Sequence, residues 1–164
     1  GLGRLGNISA NIANGFGMKV IACDLLDKNY KNIEKVSFDE LIKKADVLSI
    51  HIHLNKENEK IINKEVFKKM KKNCILINTA RGKLINEDDL IDALASNKIK
   101  GAALDLIDGE WNTDIISHKL IQYARHNSNL LISPHIGGAT KESINGARVF
   151  MIKKIAKYLK SNFL

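Results

Sequence analysis

What most constrains this chain is an alternation of two periodicities. Short apolar runs of strand length occupy residues 19–23, 47–52, 74–78, 99–104 and 130–132, and the stretches between them carry apolar residues three and four positions apart. Leu5, Ile8 and Ile12 mark the first helical stretch, which should end near Gly15 and Gly17. Ser37 with Glu40 reads as a capping box opening a helix over 39–44, Asn63 can cap 64–70, and Asn86 with Asp89 opens a helix running through Leu94. The longest helix is predicted over 141–159, capped by Thr140, with Ile144, Ala147, Met151, Ile155 and Tyr158 on one stripe. Strands alternating with helices imply a parallel sheet covered on both faces. Right-handed crossovers then make a doubly wound α/β fold the economical arrangement, and in such folds ligands sit beyond the carboxyl ends of the strands.

Composition agrees with one ordinary domain. The chain has 164 residues, 45% hydrophobic and 27% charged, enough to bury a real core without staples. Cys23 and Cys74 stand inside apolar runs, so neither a disulfide framework nor a zinc ribbon is expected, a usage that suits a reducing cytosol. The apolar runs fall well short of the roughly 18 residues a membrane span needs, so a soluble, cytoplasmic protein with no membrane partner is expected. The net charge of +8 could mark nucleic acid or an anionic small molecule. The lysines (43–44, 68–69, 71–72, 153–154) are dispersed and aromatics make up only 5%, which reads as a solvated surface and not as a nucleic-acid interface.

Four segments at strand ends carry chemistry. The chain opens Gly1-Leu2-Gly3-Arg4-Leu5-Gly6, a G-x-G-x-x-G spacing. In it the first glycine makes a tight turn, the second admits a pyrophosphate and the third packs helix on strand, while Arg4 and Leu5 open the helix whose N–H groups face the phosphates. Asp24 ends the next strand 18 residues past Gly6, where a carboxylate accepts hydrogen bonds from an adenosine ribose and repels a 2′-phosphate, favouring NAD over NADP. Arg81, in Asn78-Thr79-Ala80-Arg81-Gly82, could grip a carboxylate through its two-pronged fork. Asp105, Asp108 and Glu110 crowd the next strand end, and spacing does not choose among them. Finally, His135 stands in Ser133-Pro134-His135-Ile136-Gly137-Gly138-Ala139-Thr140, a rigid Pro/Gly frame. Of the other histidines, His51 and His53 are expected at a strand end and His118 and His126 on the surface. No metal site is expected.

Together these segments resemble the NAD-binding, Rossmann-type domain of the D-isomer-specific 2-hydroxyacid dehydrogenases, the family that includes D-3-phosphoglycerate dehydrogenase. The likeness covers nearly the whole chain, with ILINTARG at 75–82, GAALD at 101–105 and SPHIGGAT at 133–140 as its most specific parts. The resemblance implies an NAD-dependent oxidoreductase acting on a D-2-hydroxy acid/2-keto acid pair. Arg81 would hold the substrate carboxylate, His135 would be the acid/base, and Glu110 would pair with His135 and favour its imidazolium. Asp105 would bond the nicotinamide carboxamide, and Thr79, Ala80 and the Ile136, Gly137 and Gly138 backbone would line the cofactor beside Gly1, Gly3, Arg4, Leu5, Gly6 and Asp24. Glutamate at 110, where the family's formate dehydrogenases carry glutamine, argues for a hydroxy acid.

Phosphoglycerate is the first expectation for the anionic substrate, which would place the enzyme in serine biosynthesis. The alternatives are a glycerate-, glyoxylate- or lactate-type dehydrogenase, or a non-catalytic NAD-binding regulator resembling the family's C-terminal-binding-protein corepressors. His53, Ile107 and Trp111 depart from residues common in the family. The resemblance further implies that residues 1–164 are a fragment of the NAD-binding domain, lacking its first strand and the substrate-binding domain. As such the isolated chain would be inactive and aggregation-prone, and the full protein a homodimer or larger.

Overall fold

A computed structural model describes residues 1–26, 30, 32–112 and 114–163. The chain divides into two units, Gly1–Ser133 and Pro134–Leu164.

The first unit is built on parallel strands. β1 (Ile21–Ala22) pairs in parallel with β2 (Glu34–Lys35), and β3 (Val47–Ile50), β4 (Ile75–Asn78), β5 (Gly101–Leu104) and β6 (Leu130–Ile132) form a second parallel sheet in that order. The intervening helices are α1 (Arg4–Gly15), α2 (Phe38–Lys44), α3 (Lys64–Lys69), α4 (Glu87–Ala95) and α5 (Lys119–His126). This is a Rossmann-like α/β arrangement. Gly1 lies between the segments that follow β1 and β3. Its amino group donates to Cys23 O at 2.8 Å, and a Cβ built on it would stand 2.7 Å from His51 O.

The core explains why these runs are strands. Leu48, Ile50, Cys74, Leu76, Ala102, Leu104 and Leu130 are all buried, and α3 and α4 close over them with Phe67, Leu90 and Leu94. Burial of apolar surface at roughly 25 cal/mol/Å² is the main stabilising term here. The expected caps form: Ser37 Oγ accepts the Glu40 N–H, Asn63 Oδ1 accepts from Glu65 and Val66, and Asn86 Oδ1 accepts from Asp88 and Asp89. Each such cap contributes about 1 kcal/mol.

Two expectations need correcting. On α1 the residues facing the core are Gly6 and Ala10, whereas Leu5, Ile8 and Ile12 are exposed, because only small side chains let this helix approach the glycine turn. His118 is not a surface histidine; its side chain is 14% exposed and it caps α5. The dispersed lysines are partly neutralised locally: Lys43 and Lys69 share Asp39, Lys68 pairs with Glu65, and Lys71 with Asp46. Among the described residues, no helix is long and apolar enough to cross a membrane.

In the second unit, Thr140 Oγ1 accepts the Ser143 N–H at 3.1 Å where α6 (Lys141–Phe163) begins, as its sequence predicts.

Candidate functional site

The glycine turn at the start of the first unit is shaped for close approach. A Cβ on Gly6 would lie 2.0 Å from Gly1 O, so that contact tolerates only hydrogen. A Cβ on Gly3 would meet nothing within 4 Å, leaving open space above the turn. Gly3 is also the N-cap of α1, with no side-chain cap and no acid in the first turn, so the N–H groups of Arg4, Leu5 and Gly6 make an electropositive helix end that no side chain of the cap neutralises. An open cleft of about 390 Å³ adjoins it, lined by Leu2, Gly3, Arg4, Asn7, Asp24 and Tyr30 among others. Space above one glycine, two tight neighbours and an uncapped helix start are what a dinucleotide's pyrophosphate requires, and the residues fit that group.

Asp24 stands in the same cleft. Its Oδ2 accepts the Leu2 N–H at 2.5 Å and its Oδ1 the Leu26 N–H at 2.8 Å. Burial alone would push its carboxyl up, but these two backbone bonds outweigh it and hold the group below its ordinary value. Asp24 is therefore an anion at neutral pH, as a ribose acceptor must be. Tyr30 Oη donates to Leu2 O at 2.9 Å, bracing the glycine turn from the other side.

At the carboxyl end of β4, Asn78 is fully buried and organises the turn that follows. Its Oδ1 accepts the Ala80 N–H at 3.0 Å, and its Nδ2 donates to Arg81 O at 2.8 Å. Thr79 and Arg81 are thereby left exposed and Ala80 half-buried. The Arg81 guanidinium reaches back to Ala80 O at 2.5 Å, and its side chain stays accessible to a carboxylate.

Asp105, directly after β5, is a buried acid whose carboxylate accepts the Ser133 hydroxyl at 2.5 Å. The loop beyond it is tied to the Arg81 turn through main-chain contact. A Cβ on Gly82 would meet Ile107 C at 2.3 Å and Asp108 N at 2.5 Å. Gly109 takes a left-handed conformation (φ 76°), turning the chain into half-buried Glu110. Arg81, Asp105 and the Glu110 loop thus belong to one cluster of strand-end segments inside the first unit.

His135 belongs to the second unit. Its backbone φ is +52°, a left-handed conformation unusual for a residue with a Cβ and costing of order 1–2 kcal/mol. Strain of this kind concentrates at functional positions. The rigid frame expected from Pro134 and the glycines is therefore expressed in His135 itself. A turn closed by Ala139 N–H to Ile136 O (3.1 Å) follows, with Ile136, Gly137 and Gly138 exposed.

Sequence reasoning missed Glu87 and His118. Glu87, in the first turn of α4, is buried, and burial pushes its carboxyl up. Its Oε1 accepts the Asp108 N–H at 2.8 Å and its Oε2 lies 3.3 Å from His118 Nε2. Nothing in their spacing announces this: Glu87 is one of three consecutive acids in the first turn of α4, where acids are ordinary. Among the described residues no cluster of three metal-ligating side chains occurs.

Comparison with known proteins places these features in context. Residues 1–137 match the family described as D-isomer specific 2-hydroxyacid dehydrogenase, NAD binding domain. A hydroxypyruvate reductase from Thermotoga maritima is 37% identical over 160 residues, covering 97% of this chain and 51% of that protein. A chloroplastic D-3-phosphoglycerate dehydrogenase 2 from Arabidopsis thaliana is 37% identical over 164 residues, covering 98% of this chain and 25% of the relative. Among solved structures, a D-isomer specific 2-hydroxyacid dehydrogenase from Lactobacillus delbrueckii ssp. bulgaricus, in its NAD-complexed form, aligns with a TM-score of 0.90 at 31% identity, covering 98% of this chain and 52% of that one. The chain spans about half the length of the reductase and of the solved structure, and a quarter of the plant enzyme.

Proposed function

Since the chain belongs to the D-isomer-specific 2-hydroxyacid dehydrogenase family through its NAD-binding domain, we propose that the full protein interconverts a D-2-hydroxy acid and the corresponding 2-keto acid with NAD as hydride carrier. The observation that carries this reading is the contact of Gly82 with the Ile107–Asp108 backbone, which joins the segment bearing Arg81 to the loop bearing Glu110 at the ends of adjacent parallel strands.

Residues of the glycine turn, the start of α1 and Asp24 would hold the dinucleotide, with Thr79, Ala80, Asp105 and residues 136–138 as further proposed cofactor residues. When bound, the cofactor supplies or accepts the hydride. Arg81 binds the substrate carboxylate through two parallel N–H···O bonds and so orients the carbon that exchanges hydride. The His135 imidazole donates its proton to the keto oxygen on reduction and removes the hydroxyl proton on oxidation. Glu110 would serve as the carboxylate partner that orients this imidazole for proton transfer. Asp105, fixed by Ser133, is the acceptor that sets the face of the nicotinamide.

The substrate is a small 2-keto acid. The lysine surplus favours an anionic one, and phosphohydroxypyruvate, hydroxypyruvate, glyoxylate and pyruvate form the panel to test. Phosphohydroxypyruvate, the keto partner of phosphoglycerate, comes first and would place the enzyme in serine biosynthesis. The test is NADH oxidation by the full-length protein against that panel, repeated with Arg81→Lys and His135→Ala. Arg81→Lys should raise the KM for keto acid more than tenfold, and His135→Ala should lower kcat by about 10²–10⁴. NADH binding without turnover of any keto acid would instead establish a regulatory protein, and full turnover in His135→Ala would refute the acid/base assignment.

A further inference from the structure

The peptide of Asp108 is gripped on both sides by groups the reaction does not use. From α4, Glu87 Oε1 accepts its N–H at 2.8 Å. From the start of α5, His118 Nε2 lies 3.0 Å from its carbonyl oxygen and 3.3 Å from Glu87 Oε2. The tautomer is fixed by the other ring nitrogen: Nδ1 lies 3.3 Å from Leu120 N and accepts its N–H, so Nε2 carries the proton. A third restraint comes from below, where Ile107 and Asp108 rest on Gly82. Two residues further on stands Glu110.

We propose that Glu87 and His118 are positioning residues: together they fix the Asp108 peptide and thereby set where Glu110 stands relative to Arg81. This rests on the functional reading above, in which Glu110 is the partner of the acid/base histidine. Burial is tolerable because every polar atom in the clamp has work: one carboxylate oxygen for the amide, one for the imidazole, one ring nitrogen for the α5 cap. Glutamine cannot replace Glu87 without loss. A side-chain amide has one oxygen, so its NH₂ must face either the Asp108 N–H or the His118 Nε2–H, a donor against a donor. The titratable groups facing Glu87 are His118 and Lys119 at the start of α5 and the Asp108 carboxylate in the loop, and Lys119 is already paired with Asp88 at 2.6 Å.

The experiment compares Glu87→Gln, His118→Ala and the double variant in the full-length protein. It measures kcat and its pH profile, the KM for NADH, and hydrogen exchange of the amides in 106–112. The expected result is a roughly tenfold fall in kcat for each single variant, with KM for NADH within twofold. The acidic limb of the kcat profile should shift, 106–112 should exchange faster, and the double variant should be no worse than the poorer single, since both cut one network. Unchanged exchange in 106–112 would overturn the proposal, as would additive losses or equal losses of kcat and NADH affinity. Should the wild-type protein turn over no keto acid, the functional reading falls and the positioning role falls with it, while exchange still reports separately whether the clamp holds the loop. If Glu87→Gln fails to fold, His118→Ala alone carries the same readouts.

Discussion

Replacing Gly82 by alanine tests the geometry of the site most directly. The added methyl would stand 2.3 Å from Ile107 C, 2.5 Å from Asp108 N and 2.6 Å from Ile107 O. All three are backbone atoms, so no side chain can swing aside. Carbon atoms need about 3.5 Å, so the loop must recede by about 1 Å or the Arg81 turn must move by the same amount. Overpacking of this kind costs about 1–3 kcal/mol. For a protein of this size that is a fall in Tm of roughly 3–10 °C. The functional consequence is larger, because a displacement of about 1 Å between groups that must meet in the transition state costs about 10²-fold in rate. Calorimetry and steady-state kinetics on the full-length protein measure both. NADH binding, to which the glycine turn and Asp24 also contribute, should change less than kcat. A Gly82→Ala protein with wild-type Tm and kcat within twofold would refute the claim that this contact sets the site.

Three further outcomes are expected. Asp24→Ala removes the acceptor for the Leu2 and Leu26 amides as well as the ribose carboxylate, and should weaken NADH by about tenfold or more while narrowing its advantage over NADPH, measured by fluorescence titration. Asn78→Leu keeps the volume but strands the Ala80 N–H and the Arg81 carbonyl, and should cost about 1–3 kcal/mol in denaturant unfolding together with a raised KM for keto acid. Glu87 has a folded carboxyl pKa raised above its ordinary 4.5 by burial, so the native state binds the extra proton between the two values. Its stabilising contribution is complete below 4.5 and is lost as pH rises through the folded value, so the stability of wild type relative to Glu87→Gln should increase as pH is lowered through that raised value toward 4.5; parallel curves would refute this.

Much of the fold was legible because its determinants are local. β3 to β6 are short, mostly apolar runs in which alternate residues such as Leu48, Ile50, Leu76, Ala102 and Leu104 are buried, and Ser37, Asn63 and Asn86 announce their helices by capping chemistry. What escaped notice has no local determinant. β2 is the pair Glu34–Lys35, strand only because it hydrogen-bonds alongside Ile21–Ala22. α5 lacks a Ser, Thr, Asp or Asn at its start, since the imidazole of His118 takes the capping role and Leu120 alone is fully buried. On α1 the periodicity located the helix but not its inner face, because Gly6 and Ala10 are chosen for closeness and not for hydrophobicity.

The same division runs through the site. Arg81 and His135 stand out as charged or titratable residues beside strand ends, and Glu110 is one of three acids after β5 among which only the family resemblance chooses. What ties the Arg81 turn to the Glu110 loop is main chain: a glycine packed against the Ile107–Asp108 peptide, and a carboxylate and an imidazole holding the N–H and C=O of residue Asp108. These interactions read backbone atoms that every residue carries, so no spacing of side-chain types advertises them. Their energetic weight is nonetheless substantial, since freeing the partly buried N–H or C=O of Asp108 leaves an unsatisfied donor or acceptor costing up to about 1–3 kcal/mol. Substitutions at 82, 87 and 118 should therefore disturb the chemistry as strongly as many changes among the exposed residues around the site, although none of the three touches substrate or cofactor.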